Sequence, residues 1–287
     1  MPELPEIEIV KRSLFRMINK ATIINIKINN PNLRYKLQNR FSKELLGEKI
    51  LKISRRSKYI IIFFEKKILL VHLGMSGKLF LLRKKDKIFF KTSFYYNLNL
   101  IEKHNHIYFF LNNGMILIYN DVRRFGFLKL FHDKNLNNIP FIKKLGVEPL
   151  NKKFNEIYFN SYIKNKNKSI KNLLMDQNFI SGLGNIYSNE VLFISKIHPL
   201  KTAKNLKKKK IRFLILNIKK ILKDSISKGG SSIKDFINSE GKSGTFQQFF
   251  KVYGKENENC SRNSCNGRIK KISVSNRSTY YCNKCQS

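Results

Sequence analysis

The first six residues, Met1-Pro2-Glu3-Leu4-Pro5-Glu6, place a proline at position 2 with two carboxylates close to it. An initiator methionine before a small residue such as proline is normally trimmed, which leaves Pro2 with a free secondary amine. A free α-amino group titrates near pH ~8 and a lysine ammonium near ~10.4, so the terminal amine is easier to present unprotonated. Such an amine can attack a sugar C1′ and form an iminium ion. Glu3 can serve as general acid where its surroundings raise its pKa.

A structural role explains the same residues. Pro2 and Pro5 would stiffen the start of the chain, and Glu3 and Glu6 would favour the first turn of a helix through its dipole. On these residues alone the structural role is the simpler interpretation. Catalysis by the N-terminus therefore needs support from the rest of the chain.

The cysteines form a second chemical pattern, Cys260-x4-Cys265-x16-Cys282-x2-Cys285, at the C-terminal end. Two pairs separated by a hairpin-length insert are typical of a tetrahedral structural zinc site. Local clustering suits a metal site in a reducing compartment better than a disulfide framework. Four sulfur ligands leave no position for water, so one zinc ion per chain would fold the tail without catalysing. Four unpaired thiols are the alternative.

Net charge is the unusual feature of the composition. With 57 Lys and Arg against 19 Asp and Glu, the formal charge is +38, and nucleic acid is the first candidate for a partner that neutralises it. An AT-rich coding sequence would also inflate Lys, Asn and Ile together. The sign of the charge is therefore more informative than its size.

The elements that must position these residues begin with a helix and turn to sheet. Ile7, Val10, Leu14 and Ile18 repeat at helical spacing, which predicts a helix that begins near Pro5. Short β-branched and aromatic segments follow, and their number and spacing predict a sandwich or barrel. These predicted strands are 22–28, 49–54, 59–64, 68–73, 78–82, 107–111, 115–119 and 127–131.

The second half changes to a helical period, with predicted helices at 170–175, 190–193 and 211–222. Between them, Gly182-Leu183-Gly184-Asn185 is a turn that can aim backbone N–H groups at a phosphate, although a simple turn between helices is the commoner explanation.

No apolar run approaches the ~18 to 20 residues of a membrane span. The acidic N-terminus is unlike a secretory signal, so we expect a cytoplasmic protein.

Six segments resemble, in order along the chain, motifs of the formamidopyrimidine-DNA glycosylases, bacterial base-excision enzymes that remove oxidised purines such as 8-oxoguanine. They are PELPEIE at 2–8, RRSKY at 55–59, HLGMSG at 72–77, NDVRRFG at 120–126, the stretch from MDQ to GNIYSNE at 175–190, and NRSTYYC at 276–282. The resemblance covers nearly the whole chain.

The resemblance implies a catalytic set of four residues. Pro2 is the nucleophile, Glu3 assists ring opening and base loss, and Lys58 acts in the β-elimination. Arg277 holds the phosphate next to the lesion and takes part in δ-elimination. A lysine that snorkels at a strand end is the alternative for Lys58.

The resemblance also implies side chains that enter the DNA. Met75 fills the gap left by the everted nucleotide, Arg123 bonds the widowed cytosine, and Phe125 wedges between bases. An enzyme that takes its target base out of the stack must support the hole, and an apolar wedge with a charged donor does so. A core methionine, surface arginines and a core phenylalanine are the structural alternatives.

Three further residues match positions of the family that contact DNA, two of them, Asn185 and Lys166, at its backbone. They are His104, Asn185 and Lys166, with Lys168 close behind because repeated Asn and Lys blur the register of 164–171.

The chain departs from the family pattern at three places. Val122 replaces the usual proline, Asn105 replaces the usual aspartate, and the first Cys pair is wider than usual. These changes put in question the stiffness of the loop after residue 121 and the metal affinity.

We therefore expect an α+β fold: an N-terminal β-sandwich with flanking helices, then a helical domain with a helix-two-turn-helix and a zinc-finger hairpin. The predicted bounds are 1–132 for the catalytic sandwich, 133–152 for a linker, 153–246 for the helical domain and 247–287 for the zinc finger.

The expected function is that of a monomeric, nucleoid-associated bacterial glycosylase and AP lyase acting on double-stranded DNA that contains oxidised purines, with no membrane partner. An oxidised-pyrimidine enzyme of the endonuclease eight type and a catalytically silent zinc-containing nucleic-acid-binding protein are the alternatives. The sister branch typically opens PEGPE and lacks the Arg123-Arg124-Phe125 triad. The complete catalytic set argues against a pure binder.

Overall fold

Helix α1 (Leu4–Ile18) opens the structure, a computed structural model that describes residues 2–91, 102–132, 135–230 and 246–287. Pro5 lies in its first turn, where the missing N–H would have no helical partner anyway. Ile7, Val10 and Leu14 are almost fully buried on one face. The helix that the apolar spacing predicts is therefore confirmed.

Two antiparallel sheets follow α1. The first has the strand order β1-β7-β8-β5-β6 and the second β2-β3-β4-β9. The strands are β1 (Ile23–Ile28), β2 (Lys52–Arg56), β3 (Tyr59–Phe63), β4 (Ile68–His72), β5 (Gly77–Arg83), β6 (Phe89–Lys91), β7 (Asn105–Leu111), β8 (Met115–Asp121) and β9 (Phe127–Phe131). All eight predicted strands are present. Strand β6 was not predicted, because it is short and follows a charged stretch.

The core of this part lies between the two sheets and is closed by α1 and the short helix α2 (Phe41–Leu45). Alternate residues of facing strands fill it, such as Ile60 and Ile62 from β3 with Leu79 and Leu81 from β5. Each fully buried side chain of this kind contributes about 1.5 to 3 kcal/mol. The predicted sandwich is confirmed, and it gives the loops at its edges a rigid base.

The second part is helical and ends in a hairpin. Its helices are α4 (Glu156–Ile163), α5 (Ile170–Met175), α6 (Asn185–Ile194) and α7 (Lys208–Ser227), and its strands are β10 (Ile269–Val274) and β11 (Arg277–Cys282). Gly184 is the N-cap of α6. Ser275 and Asn276 join the strands with φ of 48° and 57°, the positive values that a two-residue type I′ turn requires. The expected α+β class with a C-terminal hairpin is confirmed.

Short helices connect these elements. They are α3 (Pro140–Lys143) and the 3₁₀ helices Glu102–His104, Leu136–Asn138, Ala203–Asn205 and Phe246–Phe249. Among the described residues, no helix combines the length and apolarity that crossing a membrane requires.

The chain divides into one unit of Met1–Lys143 with Ile226–Gln247 and another of Lys144–Ser225 with Gln248–Ser287. This division differs from the bounds expected from the sequence. Helix α3 lies inside the expected linker but belongs to the sandwich, because Phe141 packs against Phe127 at 5.0 Å between ring centroids. The hairpin joins the helical part because Asn189 Oδ1 of α6 accepts a hydrogen bond from the Tyr280 backbone N–H at 2.9 Å, and the buried Glu190 carboxylate of α6 holds the preceding segment through the backbone N–H groups of residues 251–253.

Candidate functional site

The N-terminus of the first unit is enclosed and hydrogen-bonded. Pro2 is buried and Glu3 is only 2% exposed. The Glu6 carboxylate accepts a hydrogen bond from the Glu3 backbone N–H at 2.8 Å, which is one half of a capping box. A Cβ on Gly230 would lie 3.3 Å from Glu6 Oε1, so the chain passes close to this carboxylate. The predicted nucleophile and acid are therefore held at the first turn of α1.

Lys58 lies in the two-residue turn between β2 and β3 and is 7% exposed. Its neighbour Ser57 has a φ of +56°. Arg55 donates one hydrogen bond to the Ser57 carbonyl at 2.9 Å and another to Glu8 of α1 at 3.0 Å. This guanidinium links the helix that carries Pro2 to the turn that carries Lys58.

Glu8 keeps its charge in this link. Burial alone would raise the pKa of its carboxyl, but Arg55 and two further cations, Lys11 and Arg12, lower the pKa below its ordinary value. Sequence reasoning missed Glu8 and Arg55, because a contact across 47 residues leaves no local pattern.

The predicted DNA-inserting residues are exposed rather than packed. Met75 is 42% exposed in the turn between β4 and β5, and Phe125 is 43% exposed between β8 and β9. The Arg123 guanidinium lies 4.5 Å from the Phe125 ring centroid. Arg123 and Phe125, with Arg34 and Arg124 among others, line an open cavity of about 630 Å³. Exposed apolar side chains beside arginines are typical of a binding surface, and they rule out the core positions considered above.

Asp121, at the end of β8, organises this surface and is fully buried. Its carboxylate accepts hydrogen bonds from the hydroxyls of Ser76 and Tyr119 and from the backbone N–H groups of Arg123 and Gly126. Sequence reasoning assigned no role to Asp121 or Ser76.

The departure at Asn105 is accommodated by its amide. Asn105 Nδ2 donates to the Tyr108 hydroxyl at 3.0 Å and its Oδ1 accepts from Asn120 at 2.7 Å. An ionised aspartate could accept but not donate here.

The two histidines beside Asn105 have different environments. His106 is buried and donates from Nε2 to the Asp121 carbonyl at 2.8 Å, whereas His104 is half-buried in a 3₁₀ helix. This leaves His104 as the histidine accessible to a ligand.

His72 joins the turn that carries Met75 to the sandwich. Its Nδ1 accepts a hydrogen bond from the Gly74 N–H at 3.1 Å, and its ring stacks on Phe127 at 5.4 Å. Burial, and then the charges of Lys58 and Arg34, lower the pKa of His72 to about 4, opposed weakly by Asp121. The imidazole is therefore neutral at physiological pH.

In the second unit, Arg277 lies exposed at the start of β11. It lines an open cavity of about 540 Å³ together with Lys168 and Asn172, among others. Asn185 Nδ2 donates to the carbonyl of Ser278, the residue after Arg277, at 2.9 Å. Two of the predicted phosphate contacts, Asn185 and Arg277, are thus brought together.

The structure separates the two lysine candidates of 164–171. Lys168 lines the same cavity as Arg277. The Lys166 ammonium instead lies 5.4 Å from the ring centroid of Tyr162.

Lys171 is a further residue that sequence reasoning did not single out. It is fully buried, and its ammonium donates to the Thr279 hydroxyl and, at 3.4 Å, to the Ser278 carbonyl. This side chain ties α5 to the strand that begins with Arg277.

The four cysteines form one cluster, with all Sγ atoms within 4.8 Å of one another. The Sγ atoms of Cys260 and Cys285 are 3.8 Å apart, and those of Cys265 and Cys282 are 3.7 Å apart. A tetrahedron with Zn–S bonds of about 2.3 Å places its sulfurs roughly 3.8 Å apart, whereas a disulfide needs about 2.05 Å. Burial raises the pKa of the Cys282 thiol, but backbone N–H groups of residues 285 and 284 outweigh it and lower the pKa to about 7. The cluster therefore fits a metal ion, and the wider first pair still brings all four sulfurs together. Among the described residues it is the one group of at least three metal-ligating side chains.

Comparison with known families gives two matches that cover most of the chain. The formamidopyrimidine-DNA glycosylase N-terminal domain matches residues 1–128, and the formamidopyrimidine-DNA glycosylase H2TH domain matches residues 145–237.

Relatives of known name are similar over the full length. The chain is 42% identical to a formamidopyrimidine-DNA glycosylase of Rickettsia conorii, covering 100% of this chain and 99% of the relative. It is 39% identical to one of Ruegeria sp., covering 100% of both. Among solved structures, the complex of Lactococcus lactis Fpg with DNA containing an abasic site is 37% identical, with a TM-score of 0.84 and 99% coverage of each chain.

A prediction about pH follows from His72. In an unfolded chain a histidine binds its proton near pH ~6.5, but in the folded chain its pKa is about 4. The unfolded state therefore binds more protons between these values, and stability falls as the pH falls from 6.5 to 4. The control is His72→Asn, which has no titrating ring but retains an acceptor for the Gly74 N–H. Over this pH range we expect the unfolding free energy of the native protein to fall by roughly 3 kcal/mol more than that of the variant. Denaturant titrations at pH 7 and pH 4 measure the difference. An NMR titration of His72 with a midpoint near 6.5 would contradict it.

Proposed function

We propose that this chain, which belongs to the formamidopyrimidine-DNA glycosylase family, removes oxidised purines from duplex DNA with Pro2 as its nucleophile. Base-excision repair by a DNA glycosylase with AP lyase activity follows from the family itself. The observation that carries the finer proposal is the burial of Pro2 and Glu3 at a helix start held by Glu6.

The first chemical step replaces the glycosidic bond. The lone pair of the Pro2 nitrogen attacks C1′ while the C1′–base bond breaks, and the base leaves with the proton that the Pro2 nitrogen loses. Glu3 donates a proton to the ring oxygen, and the ring opens to an iminium ion. Burial of both residues excludes water, which would otherwise compete with Pro2 for C1′.

The later steps are eliminations. The positive iminium nitrogen makes the C2′ proton acidic, so its removal expels the 3′ phosphate, and a second elimination expels the 5′ phosphate. Lys58 acts in the first, and it lies one residue from the Ser57 carbonyl that Arg55 ties to α1. Arg277 stabilises the phosphate in the second. The product is a one-nucleotide gap flanked by phosphates.

Recognition depends on two sets of residues. Met75, Arg123 and Phe125 support the space that the extruded nucleotide vacates, as their exposure allows. The DNA backbone is held by His104, Asn185, Arg277 and one of two lysines. Lys168 fits that last role better than Lys166, because it lines the cavity of Arg277.

The metal is zinc, and it is held by Cys260, Cys265, Cys282 and Cys285. Zinc is a structural ion here, since four thiolates complete its coordination. Bound there, it would fix the open end of the β10–β11 hairpin, where Ile269 pairs with Cys282, and so support the strand that begins with Arg277. The protein acts as a monomer in the bacterial cytoplasm, near its DNA substrate.

An oxidised pyrimidine is the substrate to compare with an oxidised purine. A solved Lactococcus lactis Fpg complex, 36% identical to this chain, contains DNA with an oxidised pyrimidine. We expect borohydride trapping to be at least tenfold more efficient on a duplex with 8-oxoguanine opposite cytosine than on one with an oxidised pyrimidine. The reverse preference would favour the endonuclease eight type.

Blocking the N-terminus tests Pro2. An added residue before Pro2 turns its amine into an amide, whose delocalised lone pair cannot attack carbon. Glycosylase and lyase activities should disappear together, while duplex DNA is still bound. The same extension at the C-terminus is the control. A blocked protein, verified by mass spectrometry, that still forms a borohydride-stable adduct would move the nucleophile to Lys58.

Glu3→Gln should separate the two activities that blocking removes together. The amine persists, so a pre-formed abasic site is still trapped and nicked. Excision of 8-oxoguanine should fall by about 10² to 10⁴, or roughly 3 to 5 kcal/mol of barrier. Equal loss of both activities would argue against Glu3 as general acid for base loss.

The zinc proposal predicts one zinc per chain in freshly purified protein. Cys282→Ser should remove the metal and abolish DNA binding, because the hairpin that carries Arg277 loses its fold, while the sandwich remains folded. Ser261→Ala, an exposed change beside Cys260, should retain both. Elemental analysis that finds no zinc would overturn the proposal.

A further inference from the structure

We propose that Ser76 and Asp121 form a latch that joins two DNA-inserting segments into one body. The segments are the methionine turn, residues 74–76, and the arginine loop, residues 122–126. Joined in this way, Met75 and Phe125 enter the DNA together rather than one after the other. The functional part of this inference rests on the proposed function.

The latch is a hydroxyl placed between the two segments. Ser76 Oγ donates to Asp121 Oδ1 and accepts a hydrogen bond from the Arg123 backbone N–H at 3.0 Å. The same N–H lies 3.3 Å from Asp121 Oδ1. One side chain of the methionine turn thus binds both the base of the arginine loop and its first arginine.

The second carboxylate oxygen holds the other end of the loop. Asp121 Oδ2 accepts from the Gly126 backbone N–H at 2.8 Å and from the Tyr119 hydroxyl at 3.1 Å. Both ends of the loop are therefore attached to one buried carboxylate. These hydrogen bonds close the loop although the usual proline is replaced by Val122.

The backbones of the two segments also touch. Gly74 has a φ of +58°, and a Cβ there would lie 2.5 Å from Phe125 C and from Gly126 N. No side chain fits in this gap, so the two backbones are close enough for the Ser76 hydroxyl to hold them together. Strand β5 follows the methionine turn, and strand β8 precedes the arginine loop. The two strands are paired, with Gly77 opposite Asp121.

The advantage of such a latch is preorganisation. A loop that is ordered before binding does not lose its conformational entropy when it binds. Hydrogen bonds to charged groups are stronger than neutral ones, so losing one changes an equilibrium about tenfold or more. Ser76 is a positioning residue in this account, since it touches the inserting residues' backbone and not the reacting atoms.

Amide hydrogen exchange tests the latch without DNA. In Ser76→Ala the Arg123 N–H keeps only its longer contact with Asp121 Oδ1 at 3.3 Å, so its exchange should rise about tenfold, while the Gly126 N–H, still bound by Oδ2, changes less than threefold. Ser76→Thr keeps the hydroxyl and should restore protection at Arg123. Ser161→Ala, which removes an exposed hydroxyl that bonds Tyr158 in the other unit, is the control. Unchanged exchange at Arg123 in Ser76→Ala would overturn the latch.

Excision kinetics test its function. Ser76→Ala should lower excision of 8-oxoguanine from duplex DNA about tenfold, but cleavage of an abasic site in single-stranded DNA less than twofold, because no base pair must be opened there. Ser76→Thr should restore excision. Equal loss on both substrates would mean a general defect and would reject the role in insertion.

A double-variant cycle tests the joint movement. In the native background, Met75→Ala with Phe125→Ala should cost little more than the worse single change. In the Ser76→Ala background the two losses should multiply. Losses that multiply in both backgrounds would reject the latch as a coupling device. If the native protein excised no oxidised base, the proposed function would fail, whereas the exchange result would still decide whether the latch exists.

Discussion

The proposed nucleophile lies at the end of the chain and is tethered on one side only, and this constraint shapes the first unit. Two residues separate the Pro2 nitrogen from helix α1, so the position of the amine depends on how the first turn is held. The hydrogen bond from the Glu3 N–H to the Glu6 carboxylate supplies that hold. Gly230 lies close to the same Glu6 carboxylate and limits the space around it. The sandwich core then anchors the other end of the helix through Leu14 and Ile18.

Buried and half-buried carboxylates have an organising role in this strongly basic chain. Although Lys and Arg outnumber Asp and Glu 57 to 19, the donors differ: Glu8 pairs with cations, whereas Asp121 and Glu190 accept hydrogen bonds from hydroxyl and backbone N–H groups. Glu8 joins α1 to the turn of Lys58 through Arg55. Asp121 binds both the methionine turn and the arginine loop, and Glu190 attaches the segment before the β10–β11 hairpin to α6. The excess positive charge that remains on the surface is available to DNA phosphates.

The sequence predicted the sandwich strands and α1 well, because their apolar periodicity follows directly from burial of one face. The cluster of four cysteines was also predictable, since ligand spacing along a hairpin is local. The latch was not, because Ser76 and Asp121 lie 45 residues apart and neither type is distinctive on its own. Nor did the sequence decide between Lys166 and Lys168, because the repeated Asn and Lys of residues 164–171 can be aligned with the family motif in more than one register. Only the fold shows which lysine shares a cavity with Arg277.

The central claim is that the chain's own terminus forms the covalent bond to DNA. Peptide mapping by mass spectrometry of the borohydride-trapped adduct with 8-oxoguanine duplex tests it most directly. The account predicts that the reduced sugar is attached to the nitrogen of Pro2, in the peptide that begins PELPE. Attachment to the peptide that contains Lys58, or to any other lysine, would contradict it.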